Sequence, residues 1–141
     1  MEKVCAVPYR LGRAGAEVLA FRHPLAGRQF VKGTREAGER SCEGARRELF
    51  EESGVWLETE PVLLAEALIG VPSLRWIIHA WETKSLPDIW DHWTEDGGGH
   101  LFSFFWHPLN VDLDEDWHPI FHETFRLIRA TLPKVIGQQN T

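Results

Sequence analysis

Apolar and polar positions divide the chain into short strand-like runs and two longer stretches with helical spacing, one near residue 45 and one near the end. Val4–Tyr9 and Glu17–Phe21 predict two strands, with Gly12, Gly15 and other small residues forming the loop between them. Arg22-His23-Pro24-Leu25-Ala26-Gly27 is a turn signal, and Gln29-Phe30-Val31 predicts a short strand that delivers Lys32 and Gly33. A helix is predicted from Cys42 to about Ser53, with Ser41 as N-cap and Gly54 as its stop. Ala45 and Leu49, with Cys42 or Phe50, form its core face. Gly44 weakens that helix by up to about 1 kcal/mol relative to alanine, which packing must offset. Val62–Ile69 and Leu74–Trp81 predict two further strands; in the second, Arg75, Ile77 and His79 alternate with Trp76, Ile78 and Ala80. Lys84–Gly99 reads as a polar, mobile loop, His100–Trp106 as an apolar strand closed by Pro108, and Asn110–Trp117 as an acidic loop. A terminal helix is predicted over His118–Leu132, broken by Pro133, with Gln138–Thr141 frayed. This order of elements means α/β or α+β.

On the first helix Glu48, Glu51 and Glu52 stand at i, i+3 and i+4, so three carboxylates are expected to point at one small volume. Like charges at this spacing cost a helix about 0.2–0.5 kcal/mol per pair and raise one another's pKa. Two readings follow. The acids form a solvated face on which Arg47 pairs with Glu51 at i,i+4, or they hold a divalent cation such as magnesium, which takes oxygen ligands together with substrate phosphates.

The longer spacing decides between them. Gly33 is followed after five residues by Glu39, and after seven more by Arg47-Glu48-Leu49, with Glu51-Glu52, Gly54 and Val55 at fixed offsets. This resembles the signature of the Nudix hydrolase family, G-x5-E-x7-R-E-U-x-E-E-x-G-U with U aliphatic, and all nine specified positions are filled. The resemblance implies an α/β fold, the Nudix-type α/β/α sandwich, with a mixed β-sheet between the box helix and a C-terminal helix in one domain spanning 1–141. It also implies hydrolysis of a pyrophosphate bond in a nucleoside diphosphate linked to another group, by water attacking phosphorus with Mg2+ or Mn2+ as cofactor. Carried over by residue, Glu51 and Glu52 are ligands, Glu48 is a third ligand or the base, and the Gly33 carbonyl adds an oxygen. Arg47 orients the carboxylates or is a simple i,i+4 partner, and Glu39 ligates, assists the water or orders the loop. A further acid is expected from Glu95, Asp96, Asp112 or Asp114, with the first two preferred. The alternative is a fold of this kind that binds a ligand without turnover; the intact acids favour the enzyme. A metal-free acidic interaction helix would leave the long-range match as coincidence. Homodimers are common among similar proteins.

Composition adds limits. With 43% hydrophobic and 26% charged residues, the 141-residue chain suits one soluble domain. A net charge of −6 argues against nonspecific nucleic-acid binding, and points instead to a small nucleotide or organic pyrophosphate as partner. Cys5 and Cys42 lack metal-ligand or disulfide-framework spacing, which fits a reduced, cytoplasmic setting. No signal-peptide region or membrane-spanning apolar run is seen, so neither export nor membrane insertion is expected.

Candidate substrate contacts are Lys32 and Arg35, which flank Gly33, and His92 and His100, which bracket the glycines of the polar loop. His23, His79, His107, His118 and His122 are more often structural or exposed. Among the seven tryptophans, Trp76, Trp81 and Trp106 suit the core. Trp90 and Trp93, in the polar loop, suit stacking on a base, and Glu95 lies close by. No motif specifies the substrate.

Overall fold

Val4, Cys5, Ala6 and Val7 are fully buried in strand β1 (Glu2–Gly12) and alternate between two hydrophobic layers. A strand buried on both faces requires cover on both sides, and the rest of the chain supplies it. The computed structural model describes residues 1–139, without the side chains of Asp96 and Gln139. Along one edge β1 pairs in parallel with β6 (Leu74–Glu82). Along the other edge it pairs antiparallel with β4 (Val31–Thr34) through its first half and with β2 (Gly15–His23) through its second. Outside β6 lies β5 (Val62–Ile69). Outside β2 lie β8 (His100–Pro108) and β7 (Trp90–Thr94), and β3 (Gly27–Gln29) adds to β2. The result is one mixed sheet of eight strands.

Helix α1 (Ser41–Ser53) covers one face, burying Ala45 and Leu49 against Val4, Ala6, Leu19, Phe21 and Val31. A leucine fully buried in this way contributes about 1.5–3 kcal/mol. Helix α2 (Pro119–Gln139) covers the other face, with Phe121, Phe125, Ile128 and Leu132 against Val7, Val18, Phe30 and Ile78. The architecture is the expected α/β/α sandwich.

Four local expectations are corrected. Ser41 is the first helical residue rather than the N-cap; Arg40 holds the cap position without a side-chain bond, because the Ser41 hydroxyl is engaged with His79 Nε2 at 2.9 Å. The short strand before the box is two strands, β3 and β4. They part at Phe30, whose fully buried ring packs on Trp117 and Phe125 and forces a change of neighbour from β2 to β1. The polar run Lys84–Gly99 contains strand β7, because Trp90 and Thr94 face the core while the residues between them stay partly or fully exposed. Pro133 does not end α2. Its lost hydrogen bond and ring clash cost about 3 kcal/mol, but Val135 and Ile136 beyond it pack on the core and hold the last turns in place. Of the tail expected to fray, Asn140 and Thr141 lie outside the described residues. No described helix is long and apolar enough to cross a membrane.

The bond between Ser41 and His79 has a consequence for pH. Burial is the main cause holding the His79 imidazole below its ordinary value of 6.5. Unfolding therefore takes up a proton wherever the unfolded histidine is charged and the folded one is not. The stability contributed by neutral His79 is complete above pH 6.5 and is lost as pH falls from there through the depressed folded value. Thermal melts from pH 8 to pH 5 should show a fall in Tm that is shallower in His79→Gln; identical slopes would remove His79 from the acid sensitivity.

Candidate active site

Residues 33–55 form strand β4, a loop and helix α1, and a single guanidinium ties the three together. Arg47 donates from Nε to Glu39 Oε2 at 2.8 Å and from Nη2 to Glu39 Oε1 at 3.1 Å, a two-pronged pair. Nη2 also reaches the Thr34 carbonyl at 3.1 Å, and Nη1 reaches Glu48 Oε1 at 2.9 Å and Glu51 Oε2 at 3.3 Å. Arg47 is thus far more than an i,i+4 partner: one cation joins the strand, the loop acid and two helix acids. Its hydrogen bond to Glu39 is the main influence raising the Arg47 pKa, and the same bond holds the Glu39 carboxyl below the usual range.

Two glycines make room for the acids. A Cβ on Gly33 would overlap the Glu48 carboxylate, so that carboxylate lies directly against the β4 backbone. A Cβ on Gly44 would stand 2.7 Å from Glu39 Oε1 and 3.3 Å from Val4, so this helix glycine lets Glu39 tuck against α1 and α1 settle onto β1. The packing that offsets the glycine's helix penalty is therefore found at this contact. At the other end Gly54 adopts φ 78°, and its N–H closes the helix on the Phe50 carbonyl.

Glu48 and Glu52 are buried, 7% and 3% exposed, on the side of α1 that faces the sheet. Glu51 is half-exposed and leans toward Arg47. Arg47 Nη1 lies between Glu51 and one Glu48 oxygen and draws these two acids to one point. Among the described residues no three His, Cys, Asp or Glu side chains close a metal cage by themselves. Beside this cluster Phe50, Glu51, His92, Trp93, Thr94 and Glu95 line a groove of about 520 Å³.

Neither a family model nor a curated protein sequence matches the chain. Solved structures do. The NUDIX domain of Shewanella oneidensis NrtR, in complex with ADP ribose, aligns with a TM-score of 0.65 at 13% identity, covering 92% of this chain and 86% of that one. A Caenorhabditis elegans Ap4A hydrolase aligns at 0.61 and 17% identity, covering 91% and 96%. The MutT protein of Methanosarcina mazei Go1 aligns at 0.63 and 19% identity, covering 92% and 94%. The chain has the Nudix fold.

Within this Nudix fold the expected substrate residues separate into those that border the groove and those that are occupied elsewhere. Glu95 and Trp93 border it; Trp93 is 57% exposed, and its ring lies over Gly99, where a Cβ would meet it at 2.5 Å. Trp90 is engaged within the fold. It stacks on Phe104 at 5.1 Å and donates its indole N–H to the Ser53 carbonyl at 3.0 Å, so it anchors β7 to the end of α1. Arg35 pairs with Glu2 at 2.5 Å, which ties the box loop to β1. Of the loop acids, Asp112 pairs with Arg129 and Asp114 lies 4.0 Å from Arg28, next to α2; the Asp96 side chain lies outside the described residues. Lys32 and His100 are half-buried near Gly33 and at the start of β8. Phe50 and Thr94 border the groove too, without a sequence motif that marks them as ligand contacts.

The seat of Glu48 yields a direct test. Gly33→Ala forces the new methyl group into a carboxylate backed by helix, and overpacking of this kind costs about 1–3 kcal/mol. A lower Tm is expected, together with weakened turnover. An unchanged Tm and unchanged activity would contradict the contact.

Proposed function

We propose that the chain is a divalent-metal-dependent pyrophosphohydrolase, cleaving a pyrophosphate bond in a nucleoside diphosphate linked to a second group. The observation that carries this reading is the seating of the buried Glu48 carboxylate against the Gly33 backbone, one helical turn from buried Glu52. The one guanidinium near them, Arg47, is shared by Glu39, Glu48 and Glu51, so a divalent cation would add the positive charge that this many carboxylates call for. The donors fit Mg2+ or Mn2+, being oxygens only: the carboxylates of Glu48, Glu52 and Glu51 with the Gly33 carbonyl beside them. A bound divalent cation neutralises phosphate oxygens and makes water a stronger nucleophile.

The protein's own groups do the rest. Arg47 fixes Glu48 and Glu39 in place, so the carboxylates need little reorganisation when substrate arrives. Glu48 is either ligand or base, holding a proton taken from the attacking water on its carboxylate, and Glu39 orders the loop through its bonds to Arg47 and to the Glu36 N–H. Trp93 offers a face to a base, and Glu95 stands beside it to orient water or substrate. The structural likeness to a MutT protein and an Ap4A hydrolase supports this reaction class, while the specific nucleotide is left to assay.

The test is release of phosphate or pyrophosphate from nucleoside triphosphates, dinucleoside polyphosphates and nucleotide sugars, with Mg2+, with Mn2+ and with chelator. Metal-dependent release from at least one class is expected. Binding of these ligands without release from any would replace the enzyme by a ligand sensor.

A further inference from the structure

Helix α1 begins without a side-chain cap, since Arg40 at the cap position makes no such bond. Its first turn is tied to the sheet instead. The Ser41 hydroxyl meets His79 Nε2 of β6 at 2.9 Å. Further along, Arg47 Nη2 reaches the Thr34 carbonyl of β4 at 3.1 Å, and at the end the Trp90 indole of β7 donates to the Ser53 carbonyl at 3.0 Å. Of these three ties, the first contains the group that titrates near neutrality.

His79 is 7% exposed, and its Nδ1 is enclosed with no hydrogen-bond partner among the described residues. An apolar side chain would fill the same place without that cost, so what the histidine adds is its grip on Ser41. Whichever nitrogen carries the proton in the neutral ring, the charged ring carries one on both. Nδ1–H then becomes a buried donor with no acceptor. Reaching water for it means turning the ring out of its seat, and the bond to Ser41 is lost with that turn. The surroundings offset the charge only in part. Glu66 on β5 and Glu60 just before β5 draw a proton to the ring, while Arg40 repels one. Glu66 is itself paired with Arg75, and Glu43 and Glu60 each lie 3.7 Å from Arg40. Beside His79, β1 sets the apolar Ala6 and β5 the apolar Leu63, and the N-terminal end of α1 adds a positive partial charge.

The first turn is in contact with the box. Glu39 stands two residues before Ser41 and packs on this turn, where a Cβ on Gly44 would be 2.7 Å from Glu39 Oε1. Glu39 is also the two-pronged partner of Arg47, which holds Glu48. A first turn that lifts from β6 therefore loosens the pair that keeps the carboxylates in place.

We propose that His79 is a positioning residue whose protonation releases the box helix: the neutral imidazole seats the first turn of α1 on β6, and the charged one frees Ser41, loosens Glu39 from Arg47 and lowers turnover on the acid side of neutrality. The effect on turnover rests on the hydrolase reading; the seating of the helix does not.

The test is amide hydrogen exchange of the full-length protein at pH 8 and pH 5, corrected for the pH dependence of unprotected exchange. The Gly44 N–H, bonded to the Arg40 carbonyl at 3.0 Å, reports on the first turn, and the Gly54 N–H, bonded to the Phe50 carbonyl at 2.9 Å, reports on the other end. On acidification, wild-type protection at Gly44 is expected to fall about tenfold more than at Gly54, the effect of one buried donor left without a partner. In His79→Gln, which keeps an amide near the Nε2 position and does not titrate, the two are expected to change alike. Ser41→Ala is expected to leave Gly44 weakly protected at both pH values, and it decides the matter if the glutamine variant does not fold. Equal changes at Gly44 and Gly54 in the wild type, the same selective loss in His79→Gln, or full protection of Gly44 in Ser41→Ala would overturn the release. Turnover tests the coupling: wild-type kcat is expected to fall more steeply below pH 6.5 than that of His79→Gln, and parallel acid limbs would overturn the link to the site. Selective loss at Gly44 in a protein that turns over no nucleotide would overturn the hydrolase and keep the pH-sensitive seat.

Discussion

Glu52→Gln is expected to lower turnover by about two to three orders of magnitude, the usual loss when one preorganised electrostatic group is removed from a site, while the Tm stays level or rises. The substitution keeps the size and shape of a side chain that is 3% exposed, so no cavity forms. It removes one negative charge from a helix face that also carries Glu48 one turn away, and like charges at that spacing are destabilising. Loss of activity without loss of fold is therefore the signature expected. The measurement is kcat at saturating metal and substrate, paired with a thermal melt of the same sample. Unchanged kcat would take Glu52 out of the chemistry, and a large fall in Tm would make it a structural residue.

Arg47→Ala is expected to have the largest effect on stability, about 2–4 kcal/mol, because it leaves buried or part-buried carboxylates without their cation. Glu39 loses a two-pronged partner, Glu48 loses a bond of 2.9 Å, and the Thr34 carbonyl loses its donor. Arg47 retains some solvent contact, with 23% of its side chain exposed, which keeps the expected value below that of a fully buried pair. Arg47→Lys should recover only part of the loss, since an ammonium cannot grip Glu39 with two parallel donors and reach Thr34 and Glu48 as well. Urea unfolding of the three proteins measures this; an Arg47→Ala change below about 0.5 kcal/mol, the level of an ordinary surface substitution, would contradict the hub.

The box helix was readable in the sequence because its signals agree: helical spacing of Ala45 and Leu49, a glycine stop at Gly54, and acids at fixed offsets. Its environment was harder to read. Arg47 and Glu51 satisfy the i,i+4 rule, but nothing local shows that Glu39 and Thr34 reach the same guanidinium, because those bonds cross from loop and strand to helix. Strand β7 was hidden by its polar composition; it is an edge strand held by Trp90 on one face, so half of its pattern belongs to solvent. Pro133 misled because a local rule was overridden by Val135 and Ile136 packing on the core.

Binding of Mn2+ to wild-type protein and to Glu52→Gln, read by loss of the free-ion signal in electron paramagnetic resonance, tests the acidic cluster without knowledge of the substrate. Wild-type protein is expected to bind Mn2+, to release it to excess Mg2+, and to bind at least about tenfold more tightly than Glu52→Gln, the loss caused by removing one charged ligand. Equal affinity in the two proteins, or no binding to the wild type, would contradict a metal site built on Glu48 and Glu52.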